Sequence, residues 1–128
     1  MSHTNTFEDL EIWQLGCQLA SDVSVATSCL GQDTLIDQMQ HTADSIPSTI
    51  AAGANCRDTA GFIRFLRQSQ EVSAELRAQL TLSESIRQQH GQPPLDGFHV
   101  LIAETEELSK LIQNLIESLK RRRGNSAE

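Results

Sequence analysis

The residue types that most often carry chemistry are sparse in this chain and poorly spaced for it. Four histidines, His3, His41, His90 and His99, offer general bases or metal ligands. No two of them are four residues apart, the spacing that puts a pair on one helix face. A di-iron site in a helical bundle takes Glu-x-x-His from two helices and two further Glu residues, and no Glu here precedes a His by three. Cys17, Cys29 and Cys56 are odd in number and none lies in a C-x-x-C pair, so they read as buried small hydrophobes of a reducing cytosol. Glu104, Glu106 and Glu107 imitate an acid/base pair, but adjacent acids near a helix start read as a solvated, dipole-matched face. There is no glycine-rich phosphate loop, no G-x-S-x-G and no H-E-x-x-H. The expectation is a non-enzymatic chain with no catalytic residues, cofactor or metal.

The cations are the chemistry that remains. Arg57, Arg64 and Arg67 lie along the start of one helical segment, and Lys120, Arg121, Arg122 and Arg123 form a basic run at the end of another. They read either as a contact for nucleic acid or a partner, or as salt-bridging arginines plus a C-terminus matched to the helix dipole. Charge is divided along the chain. Residues 1–56 hold no Lys or Arg and seven acids, whereas residues 57–128 hold ten bases and ten acids. The net charge of −7 opposes a broad nucleic-acid surface on the first two helices.

Four segments carry these residues. The first, about Glu8 to Leu30, has two apolar stripes, Leu10-Trp13-Cys17-Ala20 and Ile12-Leu19-Val23-Ala26-Leu30. Such a wide apolar face implies surface left over for a partner subunit. The second, about Leu35 to Ala54, places Ile36, Met39, Ala43, Ile46, Ile50 and Gly53 at alternating three- and four-residue steps. That register continues through Pro47, so the proline is expected to kink the helix rather than end it. The small residues around it, Ser45, Ser48, Ala51, Ala52 and Gly53, would let a neighbouring backbone come close, and Ser48 or Thr49 would help satisfy carbonyls freed by the proline. The third runs from an N-cap at Asp58 or Thr59 to about Gln89, with Phe62, Ile63, Phe65 and Leu66 followed by Val72, Ser73, Leu76, Leu80, Ser83 and Ile86. The sequence "HGQPP" ends it. The fourth, about Leu95 to Arg121, has an apolar face from Phe98 to Leu119.

The chain has 128 residues, 38% of them hydrophobic and none Tyr. This suits one helical domain with a core of its own. Short loops between long helices favour antiparallel neighbours. The expected fold is all-α, an up-down-up-down four-helix bundle over residues 7–121, helix 2 kinked at Pro47. Residues 1–6 are expected to be a flexible N-terminus and 122–128 a disordered basic and polar tail. No basic, apolar leader opens the chain and no apolar run approaches the roughly 20 residues of a membrane span, so the expected location is cytoplasmic, without a membrane partner.

"FEDLEIWQ" (Phe7–Gln14), "SIPSTIAAG" (Ser45–Gly53), "FIRFL" (Phe62–Leu66) and the ending Leu115–Lys120 occur in order. Together they resemble a bacterial four-helix-bundle family first noticed as reading frames inside intervening sequences of 23S ribosomal RNA genes. The resemblance covers about residues 7–120. It implies motif and packing roles for Ser45, Pro47, Ile50, Gly53, Phe62 and Phe65. It departs at Thr49 and Ala52, where the family pattern has Asn and Glu. It implies a homopentamer, a ring of five bundles with a central opening. It also points to a relative, the accessory variability determinant of diversity-generating retroelements, which partners a reverse transcriptase and nucleic acid. The expected function is a homo-oligomeric scaffold or adaptor whose partners are itself and another protein. The alternative is a nucleic-acid-binding accessory protein.

Overall fold

A computed structural model describes residues 7–31 and 33–126, the last two by backbone only. Among them four α-helices follow a 3-10 turn at Phe7–Asp9: α1 Glu11–Thr27, α2 Thr34–Ala54, α3 Thr59–Gln89 and α4 Phe98–Ser126. Each helix packs on its sequence neighbours and α1 closes the square against α4. Contacts between helices give the directions. Gln40 Nε2 donates to Thr27 Oγ1 (2.8 Å) at one end of α1/α2, while Gly16 meets Ile46 and Pro47 further along. Ser73 Oγ donates to the Thr105 carbonyl (3.1 Å) and Gln70 Nε2 to Gln113 Oε1 (3.0 Å) across α3/α4. In each pair one number rises as the other falls, so the neighbours are antiparallel. The fold is the expected up-down-up-down four-helix bundle.

The apolar rows meet in one core. Ile12, Leu19 and Val23 come from α1, and Ile36, Met39, Ala43, Ile46 and Ile50 from α2. Leu66, Leu76 and Leu80 of α3 and Phe98, Leu108, Ile112 and Ile116 of α4 complete it. Leu10, Trp13 and Ala20 of the other α1 stripe are partly buried and pack against this core. Between α3 and α4 the buried layer includes Ser69, Ser73 and Thr105. Their hydroxyls bond backbone carbonyls, which satisfies their polarity where two backbones run close.

Local chemistry sets the helix ends. Asp33 and Asp58 are N-caps in extended conformation, accepting from Leu35 N and Gly61 N. At the end of α3, Gly91 takes φ +69°; its N–H reaches the Gln88 carbonyl and that of Gln92 reaches Arg87 (2.8 Å). These are the paired bonds of a Schellman ending. Pro93, Pro94 and Gly97 (φ +84°) hold off the next helix until Phe98, three residues later than the periodicity suggested. The tail expectation needs a correction. α4 continues through Arg122 and Arg123 to Ser126, because nothing after Arg121 breaks a helix until Gly124, and one glycine costs only about 1 kcal/mol. The expected flexible segment 1–6 and the last two residues of the tail lie outside the described residues.

Candidate functional site

The segment "SIPSTIAAG" turns Ile46, Ile50 and Gly53 into the core and leaves Ser48 and Ala52 exposed. α2 runs unbroken through Pro47, and Ile50 and Gly53 are buried. Pro47 lies against α1, where a Cβ built on Gly16 would sit 3.6 Å from the proline Cα. A Cβ built on Gly53 would fall 2.7 Å from Phe65 Cβ and 3.1 Å from Phe62 Cδ1. Gly53, Phe62 and Phe65 therefore form one close crossing of α2 and α3. The missing Pro47 N–H leaves the Ala43 carbonyl without its usual donor. Ser45, Ser48 and Thr49 do not replace it; their hydroxyls bond the carbonyls of Thr42, Asp44 and Ser45. Thr49 is thus occupied within α2, and Ala52 is exposed, so the two positions that depart from the family pattern form no polar site here.

The cations come together. The α3/α4 register set by Gln70–Gln113 brings the start of α3 level with the end of α4. Arg57, Arg64, Arg67, Lys120, Arg121, Arg122 and Arg123 all lie at that one end of the bundle, and all are exposed. Among the described residues the only ion pair is Arg77–Glu106, 3.7 Å apart and well exposed, so salt bridging does not account for the seven. The same end carries Glu8 and Asp9 of the 3-10 turn and Glu11 at the start of α1, which leaves it basic on the α3/α4 side and acidic on the α1 side.

Two surfaces were not legible in the stripes. The first is a groove between α1 and α4, the neighbouring helices that pack least extensively. It contains hollows of about 80 and 360 Å³. Leu15, Gln18, Asp22 and Val25 line it from α1, and Val100, Glu104 and Glu107 from α4. Val25 is 71% exposed and Val100 49%. Glu104, expected on a solvated face, is half-buried, and its Oε1 is buried with no hydrogen-bond partner. Burial raises its pKa above the ordinary carboxylate range, and the charge and hydrogen bonding of Asp22 across the groove raise it further. The second surface is a ridge on α3. Ala74, Ala78, Leu82 and Ile86 are all exposed and four residues apart, a line turned away from the core row Leu76-Leu80-Ser83. Ile86 follows the core row in spacing but is 41% exposed, at the rim of a hollow of about 300 Å³ that it lines with Ser83, Leu30, Leu35 and Leu95. The four-residue spacing was the signal that could have revealed the ridge.

Other chemistry-bearing groups stand apart. Asp96 and His99 have Asp-x-x-His spacing but straddle the start of α4. No three His, Cys, Asp or Glu side chains converge as metal ligands among the described residues. The cysteines are not the buried hydrophobes expected. Cys29 is exposed beyond the end of α1, and Cys17 and Cys56 are half-buried, with burial pushing the Cys17 thiol up. Among the described residues no helix is long and apolar enough to cross a membrane.

Comparison with curated proteins and with solved structures finds no match. The family model described as 23S rRNA-intervening sequence protein matches residues 8–114. That span takes in the end of the 3-10 turn, the Pro47 segment, the Gly53–Phe65 crossing and more than half of α4, and the chain belongs to the 23S rRNA-intervening sequence protein family.

Proposed function

We propose that the protein is a non-enzymatic scaffold or adaptor that assembles with copies of itself, in the cytoplasm, into the five-membered ring the family resemblance implies. The observation that supports this reading is the α3 ridge. A core helix of a self-sufficient bundle normally gives its outer face to polar residues. Here that face carries Ala74, Ala78, Leu82 and Ile86 in a line, small residues leading to large ones, which suits close approach by another helix. A native mass spectrum at low salt tests it. The wild type is expected as a ring of about five subunits, and Leu82→Lys with Ile86→Lys as a folded monomer. A monomeric wild type would overturn the assembly.

The seven clustered cations favour a second reading, a nucleic-acid-binding accessory protein that uses the α3/α4 end. A gel shift with single-stranded RNA at increasing salt separates the two. Binding that weakens with salt and with Arg121→Ala plus Arg122→Ala supports the contact; an affinity indifferent to both changes removes it.

A further inference from the structure

The α1/α4 groove has the shape of a helix–helix seam with one helix missing. Facing rows of lining positions are 15, 18, 22 and 25 on α1 and 100, 104 and 107 on α4, with Gly97 just before the helix. Both rows step by threes and fours, the spacing with which one helix receives the knobs of another. Leu15, Val25 and Val100 supply exposed apolar edges, and Leu19, Leu101 and Leu108 the floor. The row spans roughly three turns, about 15 Å. Every charged residue lining the two hollows is an acid, Asp22, Asp96, Glu104 or Glu107. One buried oxygen of Glu104 has nothing to bond. An acidic partner would be repelled and an apolar one would leave that oxygen unpaired, whereas an ammonium or guanidinium group would satisfy it and offset the four acids.

We propose that the α1/α4 groove docks a cationic amphipathic helix of about three turns, supplied by a partner protein, with its apolar row between Val25 and Val100 and its Lys or Arg side chains on Asp22 and Glu104. This rests on the scaffold reading and names what the scaffold carries. It uses a face separate from the α3 ridge, so assembly and docking are independent. Docking also relieves the crowding of carboxylates in the groove, because a cation beside Glu104 favours its charged form.

The test uses a fluorescein-labelled synthetic peptide with Leu at helical i, i+3, i+4, i+7 spacing and Lys elsewhere, beside a scrambled peptide of the same composition. Fluorescence anisotropy is read against the full chain, against Val25→Lys with Val100→Lys, and against Asp37→Asn with Asp44→Asn. The last pair alters net charge equally at exposed α2 sites remote from the groove. The expected result is saturable binding of the patterned peptide, weakened about tenfold or more by the groove variant and unchanged in the α2 variant. Equal binding of the scrambled peptide, or equal loss in both variants, would reduce the effect to general attraction for an acidic protein and overturn the proposal. A native mass spectrum of the groove variant closes the test. If Val25→Lys with Val100→Lys dissolves the wild-type assembly, the groove belongs to a second copy; docking fails while the scaffold reading stands. If the peptide binds a wild type that is monomeric, docking stands and self-assembly fails.

Discussion

At the scale of single residues, two glycines in the same bundle have opposite reasons for being glycine. Gly53 sits where a Cβ would be 2.7 Å from Phe65 Cβ, an atom fixed to the α3 backbone. Ala there gains about 1 kcal/mol in helix propensity and loses about 1–3 kcal/mol to overpacking. Gly53→Ala is therefore expected to lower the urea midpoint. At Gly16 the nearest atom, Ile46 Cγ2, would be 3.4 Å away, ordinary contact. Gly16→Ala is expected to keep most of the roughly 1 kcal/mol propensity gain and raise the midpoint. A shift of the same sign at both positions would refute the assignment of Gly53 to a tight crossing. Glu104 yields a prediction with a pH signature. Its folded pKa is raised, so the folded chain holds a proton where the unfolded chain has released it. The stability tied to that proton is full below the ordinary value of 4.5 and is lost as pH rises through the folded value. At pH 7 the buried charge beside Asp22 is therefore a burden. Glu104→Gln should raise the melting temperature near neutrality, with the gain fading in acid. A gain that persists unchanged at pH 4 would assign the effect to packing instead.

At the scale of elements, the ends of the helices are set by single side chains whose worth can be measured. Asp58 Oδ1 accepts from Gly61 N at 2.9 Å, and Asp58→Ala should cost about 1 kcal/mol in a denaturant titration. Gly91→Ala should cost about 1–2 kcal/mol, since Ala must hold φ +69° in the Schellman ending. Neither change should alter the slope of the unfolding transition, because neither exposes new surface. These features were legible in the sequence because they are local: a cap needs Asp before a run of helix formers, and a C-terminal stop needs glycine and then proline. The α2 row was legible for the same reason, six positions in one register across Pro47. What the sequence did not reveal depends on how far neighbouring elements reach. Ile86 has the same spacing from Leu80 and Ser83 as a core residue, yet it is 41% exposed, because Leu30, Leu35 and Leu95 leave an open hollow beside it instead of closing over it. Glu104 follows the same rule. Its neighbours Glu106 and Glu107 are exposed, and it takes the pairing of α1 with α4 to set Glu104 opposite Asp22. Of the candidate site, the cations could be named from the sequence, but their gathering at one end needed the α3/α4 register.

At the scale of the whole molecule, the division of charge along the chain becomes a division in space. α1 and α2 contribute acids alone, and α4 turns from acidic at Glu104–Glu107 to basic at Lys120–Arg123. Because α4 is antiparallel to α3, its basic end joins Arg57, Arg64 and Arg67, while the acidic groove lies toward the opposite end. A polyanion is therefore offered one end of the bundle and repelled along α1 and α2. This geometry fixes what a salt titration should read. For single-stranded RNA the slope of log affinity against log salt is about −0.7 per phosphate neutralised. If all seven cations engage, the slope approaches about −5, and Arg121→Ala with Arg122→Ala should make it shallower by about 1.4. Glu8→Gln with Glu11→Gln, on the acidic side of the same end, should strengthen binding at low salt with little change in slope, because it removes repulsion without adding a phosphate contact. A double arginine variant that keeps the wild-type slope would place the RNA elsewhere on the molecule. The α3/α4 cations would then be no more than a charged end without a ligand, and the adaptor reading would stand without its nucleic-acid alternative.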